Sequence, residues 1–354
     1  MADTAAETLR PPVRVGILGA GRAFFSVHLV ELTRLKEFFS VVAVCDYVKE
    51  RRDMAERHFP DARLYRQAKD LYEDPDVEVI LVSSPSTLHE QHCRESLAAG
   101  KWTVCEAPMA LTCDGANFIK AAAIKARGRF VPYLPGLFER EFLLAKKALA
   151  GGLVGTLHTI RLRRSDWVRM DDWQTVIRCG GGVAWHTAPD MLAQAGAILQ
   201  SPPQSLWSDT KRVAALGDAE DRLKMLVRTR EGTVADIEID NGLLPPYPPR
   251  IELLGDRGRF SVDSGAAEGL VRAIDPSYAF PRRRSSVRTP AFEDRHEKFP
   301  VIERRVALDA GAICGPEAFW RAFYASVRVA APSPVSMDDA VEAIRCLQLV
   351  KRIV

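Results

Sequence analysis

The stretch VRVGILGAGRAF, residues 13–24, decides how the rest of the chain is read. Val13, Val15, Ile17 and Leu18 form a short apolar run, Gly19-Ala20-Gly21 closes it, and a segment of helical character follows: strand, tight turn, helix. A Gly-x-Gly at the end of a first strand permits the turn and lets the next helix aim its N-terminal N–H groups at a pyrophosphate. Gly19, Ala20, Gly21, Arg22, Ala23 and Phe24 are therefore candidate dinucleotide contacts. The third glycine of the usual fingerprint falls on Phe24, a bulky residue where helix and sheet normally pack closely.

Working outward, Val41 to Cys45 is a second apolar run that stops at Asp46, where an acid would bind ribose hydroxyls and repel a 2′-phosphate. That favours NAD, with NADP left open by nearby Lys49 and Arg51. The charged stretch KERRDMAERHF then has one buried helical stripe. Val77 to Val82 ends at Ser83-Ser84-Pro85, Trp102 to Cys105 ends at Glu106-Ala107-Pro108, and HEQHCRESLAAG between them closes on Gly100 as a helix C-cap. Strands alternating with helices predict a doubly wound parallel sheet over residues 13–130. Ser83, Ser84, Pro85, His89, Glu106 and Ala107 fall at strand ends, where ligands bind in open α/β sheets. Pro108 is expected to fix its turn as a cis peptide.

After about residue 130 the texture changes. Leu157 to Arg163 alternates apolar and basic residues, and Thr233 to Asp240 alternates apolar with acidic, the period of a sheet with two different faces. Lys224 to Val227 and Ile251 to Leu254, the latter before a Gly255-Asp256-Arg257-Gly258 turn, add strands. Residues 131–354 are read as an α/β domain with a large, mostly antiparallel open sheet, giving an α/β chain of two domains. Asp275 to Pro300, with Arg282-Arg283-Arg284, is a long loop. Asp338 to Val350 is read as an amphipathic helix that packs back on the first domain, and residues 1–12 as a flexible tail.

Composition narrows the partners. The 354 residues carry 49 basic and 46 acidic side chains, a net charge of +3, too small to draw nucleic acid or a membrane by electrostatics. A small molecule is the expected partner. Seven cysteines without a C-x-x-C pair are expected to be reduced thiols in a cytoplasmic protein. The first dozen residues show neither signal-peptide nor lipidation pattern, and no apolar run approaches the ~20 residues that span a bilayer. No His/Cys cluster has metal-ligand spacing, so no metal is expected, and Gly-x-Ser-x-Gly is missing.

Gly19-Ala20-Gly21 with His28-Leu29, Cys45-Asp46, Ser84-Pro85-Ser86 followed by His89, Ala99-Gly100-Lys101 and Cys105-Glu106-Ala107-Pro108 resemble the glucose-fructose oxidoreductase, inositol dehydrogenase and rhizopine-catabolism (Gfo/Idh/MocA) family. Gly155, Gly180-Gly181-Gly182 and Gly255-Asp256-Arg257-Gly258 extend the resemblance over nearly the whole chain. It implies a Rossmann domain, a second domain with a large open sheet, a nicotinamide cofactor, sugar or polyol substrates, and a homodimer or homotetramer formed through that sheet. Three departures stand out. Ala107 occupies the place of the family's lysine, Leu134-Pro135-Gly136 that of an Asn-x-Arg type segment, and His186 and Asp190 exchange the usual Asp and His.

Oxidation of an alcohol needs a base for the hydroxyl proton, and imidazole has a suitable pKa. His186 is the candidate acid/base, with Asp190 orienting it or binding a neighbouring hydroxyl. Thr187-Ala188-Pro189-Asp190 equally fits a helix start, with Thr187 as N-cap and the Asp190 carboxylate returning to the Thr187 N–H. Trp167, Trp173 and Trp185 are candidates to stack on a sugar, against the ordinary alternative of core or interface. Arg161 and Arg163 share one face of the sheet. The leading expectation is an NAD(P)-dependent hydride transfer to or from a sugar, cyclic polyol or related carbonyl compound. A redox-neutral, NAD-retaining glycosidase or lyase and a non-catalytic dinucleotide-binding regulator are the alternatives.

Overall fold

The computed structural model describes residues 10–281 and 298–350. Arg282, Arg283 and Arg284, and most of the tail at the N-terminus, lie outside the described residues. Six strands, β1 (Val13–Leu18), β2 (Phe39–Cys45), β3 (Arg63–Tyr65), β4 (Val79–Val82), β5 (Trp102–Cys105) and β6 (Phe130–Pro132), form a parallel sheet in the order β3-β2-β1-β4-β5-β6. Every residue of β4 is buried, as are all of β1 except Arg14, as a central parallel strand covered on both faces requires. The strand order reverses direction between β1 and β4, and the crevice above their C-terminal ends is where such sheets bind ligands.

Phe24 is completely buried, edge-on to Phe25 at 5.0 Å and tilted against Phe59 at 6.4 Å. The backbone accommodates it by opening a π-helical turn, Phe24–His28, in which the Leu29 N–H reaches back to the Phe24 carbonyl. Such wider turns recur at functional sites. They give a large ring room where a third glycine would otherwise allow close packing.

Eight further strands, β7 (Leu157–Ser165), β8 (Pro203–Lys211), β9 (Arg222–Thr229), β10 (Val234–Asp240), β11 (Ile251–Gly255), β12 (Gly258–Val262), β13 (Glu268–Ile274) and β14 (Val301–Ala307), form a second sheet in the order β14-β13-β12-β11-β7-β10-β9-β8. Its pairs are antiparallel except β7 with β10. Ile160, Leu162, Ala235, Ile237, Leu223 and Met225 are buried on one face, against which the helices Arg140–Ala150 and Ala188–Leu199 pack. The other face carries an ion-pair lattice: Lys224 to Asp236 (2.5 Å) and Glu238 (2.9 Å), Arg163 to Glu252 (2.7 Å), Arg161 to the same Glu252 (3.6 Å) and Arg222 to Asp240 (3.1 Å).

Two C-terminal helices tie the sheets together. Trp320 and Phe323 of the helix Gly315–Val329 pack on Phe39 and Trp102 of the first sheet. The last helix, Met337–Gln348, lies between the helices Cys113–Lys125 and Ala188–Leu199. Its Asp338 takes Lys120 at 2.5 Å.

Candidate functional site

The C-terminal ends of β1, β2, β4 and β5 open onto a cleft of about 440 Å³. Gly19 and Gly21 form its floor. Gly19 has φ +97°, and a Cβ there would come within 2.6 Å of the Ser84 nitrogen, so the turn after β1 presses directly on the turn after β4. Ser83 Oγ closes that contact on the Gly19 carbonyl at 2.5 Å. A Cβ at Gly21 would meet nothing within 4 Å, because this position faces open cleft. Asp46 is buried. Its Oδ2 accepts from Ala20 N and its Oδ1 from Val48 N, both at 2.9 Å, and Arg51 stands 3.6 Å away. The carboxylate thus fixes the glycine turn while keeping acceptor capacity for a ligand hydroxyl. Lys49 turns away to Asp53 at 2.7 Å.

His89 joins two walls of the cleft. Its Nε2 lies 2.7 Å from the Ser84 carbonyl and its Nδ1 2.8 Å from that of Pro108, after the cis Ala107–Pro108 bond. Burial pushes its pKa down, and the two carbonyl acceptors oppose that shift because only N–H groups satisfy them. Glu106 reaches the cleft with one oxygen 2.6 Å from the Nε2 of His28, a ring fully buried behind it and 4.6 Å from that of Tyr133. Ala107 lines the same wall, and no lysine lines this cleft among the described residues.

The opposite wall comes from the second sheet's connections. His186 ends the short helix Val183–His186, which starts where the glycine turn 180–182 is packed so tightly that a Cβ on Gly181 would strike the Gln174 carbonyl at 2.5 Å. Trp173 stands edge-on to the His186 ring, centroids 5.3 Å apart, and Gln174 Nε2 lies 3.4 Å from its Nδ1. His186, Trp173, Gln174 and Asp172 all face the cleft that Gly19, Gly21 and Asp46 line.

Asp190 corrects the capping expectation. Thr187 has helical backbone angles and its side chain caps nothing, because its N–H already bonds the Val183 carbonyl at 3.0 Å as one helical turn runs into the next. The Asp190 carboxylate instead accepts from Gly136 N at 2.8 Å. Burial pushes its pKa up to about 6, with Arg164 opposing and Glu139 adding. Glu139 is itself driven up by burial, but Arg164 and Arg250, with a hydrogen bond from Gln194, outweigh this and hold it low.

Of the remaining residues singled out from sequence, Arg22, Ala23, Ser83, Ser84 and Pro85 line the cleft. Ala20 and Phe24 support it from the core, and Trp185 is likewise buried. Trp167 is exposed and pairs in an isolated bridge with Gly242, outside the cleft lining. Sequence reading did not single out Asp172, Gln174, Tyr47 or Arg66, which lie on turns whose placement depends on the sheets around them. A larger cavity, about 580 Å³, sits between the helix Ala188–Leu199 and the last helix, and shares no lining residue with the cleft.

Residues 13–133 match the model for the oxidoreductase family with an NAD-binding Rossmann fold, and residues 142–261 match the GFO/IDH/MocA C-terminal domain. The chain belongs to the Gfo/Idh/MocA family. It is an oxidoreductase of that family, and its cofactor is a nicotinamide dinucleotide. The inositol 2-dehydrogenase of Ralstonia nicotianae is 28% identical over 344 residues, covering 94% of this chain and 96% of that one. The scyllo-inositol 2-dehydrogenase (NADP(+)) IolW of Bacillus subtilis is 29% identical over 150 residues, 42% of this chain and 41% of that one. The family fold extends to an NAD-binding protein from Listeria innocua, with a TM-score of 0.79 at 18% identity over 96% of this chain and 93% of that chain. An oxidoreductase from Bacillus cereus gives 0.75 at 15% identity over 95% of each. The expectation drawn from Gly19-Ala20-Gly21 and Asp46 thus agrees with the family, and the structure fits the cofactor through the open space at Gly21 and the strand-end acid.

Proposed function

We propose that this family member oxidises a cyclic polyol or related sugar alcohol, with NAD as the preferred cofactor and His186 as the acid/base. One observation carries the reading: among the described residues, the imidazole on the second sheet's side of the cleft is that of His186, which shares its lining with the glycine turn and Asp46. The relatives named as inositol dehydrogenases over nearly their whole length support the substrate class. Asp46 supports NAD, since a carboxylate held by two backbone N–H groups cannot swing away from a 2′-phosphate.

The bound nicotinamide supplies the hydride acceptor. The chain's own residues handle the proton and the orientation. His186 takes the hydroxyl proton as the carbon gives up hydride, Trp173 and Gln174 hold its ring, and Glu106, backed by His28, positions the ligand from the opposite wall. Asp190, buried and held by the Gly136 N–H, keeps a proton close to neutral pH outside the cleft lining. Association through the open face of the second sheet, where Trp207 and Leu226 stand exposed beside the ion-pair lattice, completes the proposal.

A second reading rests on Ala107. With no lysine lining the cleft among the described residues, a reaction that returns the hydride after elimination at a neighbouring carbon is chemically consistent. Steady-state assays with a panel of inositols and sugars separate the two. The first reading expects stoichiometric accumulation of reduced nicotinamide, abolished in His186→Ala while calorimetry still detects NAD binding. Product formation with no net reduced nicotinamide supports the second, and full activity in His186→Ala removes His186 from its role.

A further inference from the structure

One ion pair joins the two walls of the cleft. Arg22 follows the glycine turn and opens the first helix of the parallel sheet. Its Nη1 lies 2.9 Å from Asp172 Oδ2, which comes from the connection after β7. Both residues line the cleft, and the pair is partly exposed, with side chains 54% and 32% accessible. The second oxygen of Asp172 accepts from Gln174 N at 2.9 Å, and its carbonyl takes Thr175 N and Thr175 Oγ1 at 3.0 and 2.8 Å. Gln174 and Trp173, fixed by that turn, are both set against His186. Arg22 is therefore tied through three residues to the proposed acid/base.

We propose that Asp172 is a positioning residue that makes the setting of His186 depend on cofactor phosphate: a dinucleotide diphosphate takes Arg22 from Asp172, and the freed 172–175 turn re-seats Trp173 and Gln174 on His186. This rests on the dinucleotide reading of the cleft. The exchange is favourable on elementary grounds. A partly exposed ion pair contributes little, whereas a diphosphate carries two charges and several acceptors that a guanidinium fork engages together. Arg22 stands at the start of the helix whose N-terminal N–H groups also favour a phosphate. A diphosphate left beside an unmoved Asp172 would also place like charges next to each other.

The test uses the full chain and three ligands, NAD, ADP and adenosine. Calorimetry measures binding, and the Trp173 contribution to fluorescence is obtained by difference from Trp173→Phe. NAD and ADP are expected to change the Trp173 signal, and adenosine, lacking phosphate, to leave it unchanged at saturation. Asp172→Asn is expected to show the ADP-bound signal before any ligand is added, and to bind ADP at least as tightly as the unmodified chain. Arg22→Gln is expected to lose about tenfold in ADP affinity, the scale of a charge-assisted hydrogen bond, and to lose the signal change. The proposal is overturned if ADP binds without moving Trp173, if adenosine moves it equally, or if Asp172→Asn responds like the unmodified chain. Calorimetry that detects neither NAD nor ADP would overturn the dinucleotide reading itself, and this proposal with it.

Discussion

Asp190 shows how one residue's surroundings set its chemistry. Its carboxyl, at 3.8 in an ordinary setting, is pushed up to about 6 by burial, against the pull of Arg164. A raised folded-state value means that the folded chain holds this proton more tightly than the unfolded chain does. The stability it contributes is complete below about pH 4 and is lost as pH rises through about 6. Asp190→Asn keeps an oxygen for the Gly136 N–H and removes the charge. Its melting temperature is expected to lie close to that of the unmodified chain near about pH 3.5 and to exceed it near about pH 7.5. An equal difference at both values would contradict the assignment. Gly136 belongs to the same arrangement, since a Cβ there would meet the Asp190 carboxylate at 2.8 Å.

At the scale of elements, the glycine turn separates two requirements that the sequence motif presents together. Gly19→Ala forces a side chain at φ +97° into the Ser84 backbone. It is expected to cost at least about 1–3 kcal/mol of stability by urea denaturation. Gly21→Ala meets no atom of the protein. Its stability is expected to stay within about 0.5 kcal/mol, while calorimetric affinity for NAD falls about tenfold because the added methyl enters the ligand's space. Unchanged affinity in Gly21→Ala would place the dinucleotide elsewhere.

The same elements show what was legible in the sequence. The runs that became β1, β2, β4 and β5 are nearly continuous apolar stretches because parallel strands are buried on both faces. The acids and turns at their ends were therefore placed correctly. β14 gives no such signal: five of its seven residues are exposed, and Glu303, Arg304 and Arg305 pair mainly through backbone and ions. The three-residue strands β3 and β6 are too short for periodicity to register. The Thr187 cap failed because one helix is continuous with the next, which is a matter of three-dimensional path. The pairing of Arg22 with Asp172 is invisible for the same reason, as it joins residues that only the two sheets bring together.

At the scale of the molecule, the second sheet presents a broad face of paired charges with Trp207 opposite Leu226 on neighbouring strands. Isologous contact of such faces is the expected route to a dimer or tetramer. Light scattering is expected to give a mass of at least two chains. Trp207→Glu combined with Leu226→Glu is expected to reduce it to one chain without changing the far-ultraviolet dichroism, and an unchanged mass would move the interface elsewhere. Neither Trp207 nor Leu226 lines the cleft, so the double substitution is expected to leave cofactor binding unchanged.

In the proposed reaction this cleft moves a hydride from a polyol carbon to nicotinamide. Incubation with NAD and inositol deuterated at its carbinol carbons, followed by mass spectrometry of the recovered nicotinamide cofactor, tests it most directly. One deuterium is expected in the reduced cofactor, and none when His186→Ala replaces the unmodified chain. A cofactor recovered without label would contradict it.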